Sequence, residues 1–192
     1  LNAVKIEDVL DYTSGVSRQN NFAGMWDNFS IRGFAGNENT GMSLLKNGFA
    51  DNRGYNAPRD TANIESIEFL KGPSGSLYGN SEPGGTINIV TKQPKFTSEH
   101  SIKTDVGSYD FYRMALDSTA PINDNLAYRL NVATEKKGSF RDHIESQRYV
   151  VAPSLLYSIN DDTFVSYMGE FIEQKAPFDR GIALIDGKNV MN

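Results

Sequence analysis

The feature that most limits how this chain can fold is a two-residue alternation in its second half. Leu126, Tyr128, Leu130 and Val132 are apolar, and Arg129 and Asn131 fall between them. Tyr112, Met114 and Leu116 repeat the pattern against Arg113 and Asp117. Tyr149, Val151, Leu155 and Tyr157 continue it, with Val150 and Leu156 blurring the polar side. Successive strand side chains point to opposite faces, so this period specifies strands with one apolar and one polar face. Polar turns at Asn123-Asp124-Asn125 and Asn160-Asp161-Asp162 alternate with a longer connection over residues 139–146. About five strands of roughly ten residues each are predicted, the length a tilted strand needs to cross a bilayer.

Alternation alone also suits a soluble antiparallel sheet with one wet face. Strand length favours a membrane wall, as does the contrast between short turns at one end and longer loops at the other. Tyr109, Tyr128, Tyr149 and Tyr157, near strand ends, suit the aromatic girdles of such a wall. No run of about 18 apolar residues exists, so no transmembrane helix is predicted. A mean hydropathy of −0.46 is what alternating strands leave. About five strands cannot close a barrel, and an open edge in lipid strands its backbone polar groups. If these are barrel strands, the chain is expected to be a fragment. Leu1-Asn2-Ala3-Val4-Lys5 opens directly into an amphipathic pattern without a signal peptide, as in a mature or truncated exported chain.

The first half, up to about Pro94, reads differently. Its glycines are dense and its segments short and mixed. A helix is predicted over residues 4–12, stopped near Gly15, which can supply a left-handed cap. Strands are predicted over 28–32 (ending at Gly33), over 43–46 (leading into the Asn47-Gly48 turn), over 64–70 and over 85–91. Together these make a small mixed α+β domain.

Several function classes fall away. Charge is −5 and scattered, with no basic stripe for nucleic acid. There is no cysteine, hence no disulfide framework and no thiolate metal site. His100 and His143 stand far apart without carboxylate or cysteine company, and read as surface residues rather than metal ligands. The Gly-rich run from Lys71 to Gly85 lacks the Gly-Lys-Ser/Thr ending that handles phosphate and magnesium, so it reads as a string of tight turns. Glu65 and Glu68, three apart on a strand, face opposite ways and cannot share a substrate. No nucleophile constellation is visible, so no enzyme is expected.

A resemblance then connects the two halves. Ser30-Ile31-Arg32-Gly33-Phe34, Asn47-Gly48, the run from Ile64 to Pro73, Leu77-Tyr78-Gly79, and the run from Pro83 to Lys92 resemble, in order and spacing, the plug of TonB-dependent siderophore receptors. Residues 107–113 are similar to that family's first barrel hairpin, and residues 176–181 are similar to its siderophore branch. At Ser66 the chain departs from the family, where an arginine is usual, so one plug-to-barrel charge contact is not implied.

The resemblance implies an α+β plug domain over residues 1–95, its N-terminal part missing. Antiparallel strands of a transmembrane β-barrel follow over residues 96–192, a few of the 22 that such transporters carry. It implies an outer-membrane receptor that binds a ferric siderophore outside the cell and imports it to the periplasm. TonB, with ExbB and ExbD, would supply the energy through a missing N-terminal segment, and outer-membrane lipid would surround the barrel. Iron would arrive already chelated, so no cofactor is expected. Related readings are a TonB-dependent transporter of cobalamin, haem or an oligosaccharide, and, in another class, a soluble β-rich binding module.

Plug loops facing outward would hold Met25 and Trp26, then Asn37 and Asn39, then Arg53, Tyr55 and Asn56, which offer aromatic surface and hydrogen-bond donors for a bulky chelate. Arg32 would project to the barrel wall and pair with acidic residues beyond this chain, because an unpaired charge buried there is costly. Arg32→Ala in a full-length receptor is therefore expected to loosen the plug. Unchanged urea sensitivity of plug hydrogen exchange would count against that role.

Overall fold

Two halves of opposite character meet along one seam. The structure, a computed structural model, describes residues 6–10, 12–19, 26–35, 43–51, 59–71, 85–140, 144–177, 184–185 and 188–189. In the first half a short helix, α1 (Ile6–Leu10), precedes β1 (Val16–Arg18), β2 (Phe29–Ile31) and β3 (Phe34–Ala35), which form a three-stranded antiparallel sheet. Then come β4 (Ser43–Lys46), β5 (Phe49–Ala50), β6 (Ile64–Lys71) and β7 (Gly85–Thr91), arranged β5-β4-β7-β6. The β4–β7 pair is parallel and its neighbours antiparallel, so the predicted mixed sheet is present. Gly15 is left-handed (φ 76°) but lies in the turn leading to β1, beyond the end of α1. Ile6 and Leu10 of the helix pack with Phe29, Ile31, Leu44, Ile87 and Ile89 into one apolar core. β7 is buried along almost its whole length, which is why its sequence is β-branched on both faces.

The Asn47-Gly48 turn takes positive φ at both residues, 52° and 84°, the conformation that suits a two-residue hairpin. The Asn47 side chain then fastens the hairpin to β7. Its Nδ2 donates to Thr91 Oγ1 at 2.8 Å, and its Oδ1 accepts from Thr91 N at 2.9 Å. Gly48 N donates to Asn88 Oδ1, whose amide in turn donates to Glu68 Oε2 on β6. One polar line thus crosses from the hairpin to the far edge of the sheet.

The second half is a single antiparallel sheet: β8 (Glu99–Gly107), β9 (Phe111–Asn123), β10 (Leu126–Lys137), β11 (Ser146–Asn160), β12 (Thr163–Met168) and β13 (Phe171–Lys175). Both β12 and β13 pair with β11, and the register is the same on either side of the gap. They are one strand interrupted at Pro153. Gly169 N still donates to Pro153 O at 2.8 Å, but proline has no N–H to return. The sheet therefore has five staves, as the alternation predicts. A further two-residue pair, β14 (Leu184–Ile185) with β15 (Lys188–Asn189), follows.

This sheet is inverted relative to a soluble one. Arg113, Thr119, Ala127, Arg129, Asn131, Ala133, Glu135, Arg148, Val150, Ala152 and Ser154 are buried against the first half. The opposite face exposes Ile102, Met114, Ile122, Tyr149, Val151, Leu155, Tyr157, Val165 and Tyr167. Water would not favour an apolar face outside and a charged face inside, whereas lipid requires it. The soluble-sheet alternative fails on this observation. Tyr112 and Tyr149 sit near the long-loop end and Tyr128 and Tyr157 near the short turns, opposite residues 136, 134, 120 and 126 respectively. Their separation, roughly 25 Å along the strand, matches an apolar band between two girdles. No described helix is long and apolar enough to cross a membrane.

Leu130 lies mid-band on the outer face, opposite Ser118 and Pro153. Leu130→Arg is expected to cost about 2–4 kcal/mol of barrel stability and to lower the fraction of full-length receptor that migrates as the heat-modifiable folded form. Leu130→Val should leave that fraction unchanged.

Candidate functional site

The polar inner face of the wall has one thing to hold, the first half of the chain, and it does so at two heights. At the upper level the anchor is Asp60, fully buried, which caps the 3-10 turn Thr61–Asn63 by accepting from Ala62 N at 2.9 Å. Two wall arginines converge on it. Arg113 of β9 donates from Nη2 at 2.6 Å and from Nη1 at 3.0 Å, and Arg148 of β11 donates from Nη1 at 3.4 Å. Arg113 also reaches Glu135 of β10 at 3.2 Å, and Arg148 holds Gln174 of β13 through Nε and Nη2. Two guanidinium groups against two carboxylates make the cluster neutral, which is what lets four charges stay buried.

At the lower level Asp117 of β9 is the centre. Arg129 of β10 grips it with two parallel bonds of 2.8 Å, and Lys92, just after β7, adds a third of 2.9 Å. Each of these cations also donates to a backbone oxygen. Lys92 reaches Ala62 O, and Arg129 reaches Gln93 O, both at 2.9 Å. Lys95 N donates to Thr119 Oγ1. A third tie joins Lys46 of β4 to Glu170 at 2.5 Å, opposite the interruption in the last stave. A cleft of about 420 Å³ opens between α1, the start of β6 and the inner faces of β8 and β9, bordered by Ile64, Ser66, Ile67, Lys103 and Ala115. Ser66, where the resemblance would have placed an arginine, borders this cleft and is exposed.

Arg59, the neighbour of Asp60, does the corresponding job among the loops. It is buried and donates to Asp27 from its backbone N and from Nη1, each at 3.0 Å. It also donates to the Asp51 carboxylate from Nε at 3.2 Å and to the Asp51 backbone oxygen. Asp51 follows β5 and Arg59 precedes the 3-10 turn, so this contact joins those two points, and Asp27 ties in the segment before β2.

Of the residues expected to meet a ligand, Met25, Asn37, Asn39, Arg53, Tyr55 and Asn56 lie outside the described residues. Trp26 is described, and it is buried, 9% exposed, in the packed base beside Asp27 rather than on a displayed tip. Arg32 is exposed at φ 54°, and its backbone N donates to Gly15 O at 2.7 Å. The charge contacts seen here run in both senses, Asp60 of the first half meeting Arg113 and Arg148 of the wall, and Lys92 and Lys46 of the first half meeting Asp117 and Glu170 of the wall. Among the described residues no group of His, Cys, Asp or Glu is placed to hold a metal ion.

Comparison with known proteins agrees with this architecture. The TonB-dependent Receptor Plug Domain family matches residues 1–86. The metal-pseudopaline receptor CntO of Pseudomonas aeruginosa strain PAO1 is 43% identical over 184 residues, covering 94% of this chain and 25% of that protein. The crystal structure of the ferric-catecholate import receptor Fiu from Escherichia coli K12 superposes with a TM-score of 0.79 at 34% identity, over 94% of this chain and 26% of that one. The pyoverdine outer membrane receptor FpvA of P. aeruginosa PAO1 gives 0.81 at 26% identity, over 95% of this chain and 27% of that one. The chain belongs to the TonB-dependent receptors of the outer membrane, as a plug with the opening strands of its barrel. These are receptors and transporters, not enzymes, and the chain spans about a quarter of the length of the relatives named here.

Removing the Asp60 carboxylate would leave two buried arginines sharing Glu135 and Gln174. Asp60→Ala in a full-length receptor is expected to cost about 3–5 kcal/mol of plug attachment, read as faster hydrogen exchange over residues 59–65. Lys95→Ala, which breaks only the exposed pair with Glu99, should change that exchange little.

Proposed function

We propose that the protein carrying this chain binds a ferric siderophore at the cell surface and passes it to the periplasm with energy delivered by TonB. Residues 1–95 act as the plug and residues 96–192 as the first part of the barrel wall. The observation that carries this reading is the inverted sheet, apolar outside and ionic inside, closed on a plug through Asp60 and Lys92. A wall of that kind, filled by a separate domain, is a gated passage.

Supporting this, the relatives named above are receptors for metal chelates. Iron is cargo in this scheme and comes with its own ligands, so the protein needs to recognise the chelate and not to coordinate the metal. Recognition falls to the plug loops with Met25, Asn37, Asn39, Arg53, Tyr55 and Asn56, assisted by barrel loops. Arg59 joins Asp51 and Asp27, which fixes the described positions on either side of residues 52–58. TonB, driven through ExbB and ExbD, would act on a segment N-terminal to the plug. The 43% identity to a metal-pseudopaline receptor favours a second reading, in which the cargo is another metal chelate of that type.

The test is equilibrium binding to the full-length receptor, followed by quenching of intrinsic tryptophan fluorescence. The panel is ferric hydroxamate, ferric catecholate and metal–pseudopaline chelates, with cobalamin and haem as controls. One chelate is expected to bind tightly, and more weakly once stripped of its metal. Selective binding of metal–pseudopaline would establish the second reading. Binding of cobalamin or haem alone would remove the siderophore assignment while leaving the fold intact.

A further inference from the structure

The outward face of the wall can be read row by row from the strand register. Ile102, Leu116, Val132, Val151 and Phe171 form one row across the five staves. Two rows further toward the short turns come Ala120, Tyr128, Leu155 and Tyr167, and then Leu126, Tyr157 and Val165. Between the first row and the tyrosines lies a row that breaks the pattern. It begins with His100 and Ser118 before continuing with Leu130 and Pro153. From the row of Ile102 and Val132 down to the short turns, His100 is the one described outward strand side chain, tyrosines aside, that ionises.

These polar groups are connected. His100 Nδ1 lies 2.9 Å from Ser118 Oγ, and Ser118 Oγ lies 3.1 Å from Tyr128 Oη. Tyr128 stands one row closer to the short turns than Ser118, so its hydroxyl reaches into the apolar band. A girdle tyrosine ordinarily turns its polar tip the other way, toward water. Two hydrogen bonds join three groups that carry three donors, so whichever way the chain runs, one N–H or O–H is left over. Run from Tyr128 to His100, the spare donor is Nε2–H. Run the other way, it is the Tyr128 hydroxyl. An ionisable residue facing hydrocarbon with a donor to spare is expensive unless something polar comes to it.

We propose that His100, Ser118 and Tyr128 bind the phosphate of a phospholipid headgroup from the periplasmic leaflet. A phosphodiester is acceptor-only, as the spare donor requires. Acyl chains would then run up the wall over Ile102, Leu116 and Val132. Ala120, the small residue next below Ser118 on the outer face of β9, leaves room for the rest of the headgroup. The inference rests on the reading of this face as lipid-facing.

The test is native mass spectrometry of full-length receptor in detergent, titrated with phosphatidylglycerol, with diacylglycerol of the same chains, and with glycerophosphate. One phosphatidylglycerol is expected to bind, and diacylglycerol should not displace it. Either His100→Ala or Tyr128→Phe, whichever residue carries the spare donor, should weaken binding by about fivefold or more, the loss of one hydrogen bond to phosphate. Leu130→Ala, in the same row, should not. Unchanged binding in both polar variants, or displacement by diacylglycerol, would overturn the site, and glycerophosphate binding as tightly as the lipid would overturn the lipid assignment. Tyr128→Phe keeps the ring and removes a single oxygen, so its folding is not at issue. A receptor that stays monodisperse without detergent would instead defeat the lipid-facing reading itself.

Discussion

A wall that turns its apolar side chains to lipid has only its polar ones left with which to hold whatever lies inside it. That constraint governs the junction between the two halves of this chain. The plug is not packed to the wall as two layers of a soluble domain would be, through interdigitating aliphatic groups. It is held by carboxylates and guanidinium groups, with Asp60 and Asp117 at the two centres. Ionic attachment of this kind is specific in geometry and modest in net strength, because each buried charge loses hydration before it gains a partner. It is also reversible in a way that an apolar interface is not. Water admitted to the seam can solvate the charged groups that hold it, leaving only small apolar side chains such as Ala127, Ala133 and Val150 to be uncovered when the plug is displaced.

Arg59 and Asp60 are adjacent in sequence and opposite in duty. The first ties loop bases to one another through Asp27 and Asp51, and the second ties the same point to the wall through Arg113 and Arg148. The positions of Asp27 and Asp51 are thereby referred to the barrel over the single peptide bond between Arg59 and Asp60.

The wall was legible in the sequence because period-two alternation survives without knowledge of partners. Arg113, Asp117, Arg129 and Asn131 fall on the polar side of their strands by parity alone, and they are the residues that turn inward. What each would meet there was not legible. Asp60 sits in an irregular segment with no periodicity, and its partners lie 53 and 88 residues away. Trp26 carries the same lesson in reverse. An aromatic in a glycine-flanked loop reads as a ligand contact, yet it is buried, because sequence shows that a loop is there and not which end of it is packed. The break at Pro153 was equally hidden. A single proline in an alternating run signals a missing donor only once the opposing strand is known, and here that strand keeps its register straight through the gap.

That missing rung has a mechanical consequence. Resistance to sliding between two staves is the sum of the bonds joining them, and at the height of Pro153 the ladder to the fifth stave has one fewer. Gly169, with no side chain to interlock, lies opposite. Shear stiffness of the described wall is therefore lowest where Glu170 reaches in to Lys46. The plug's hairpin is tethered to the most compliant stretch of the wall, while Asp60 and Lys92 are tethered to strands without that gap. A load applied to the plug would be shared unequally, borne stiffly on one side and with give on the other.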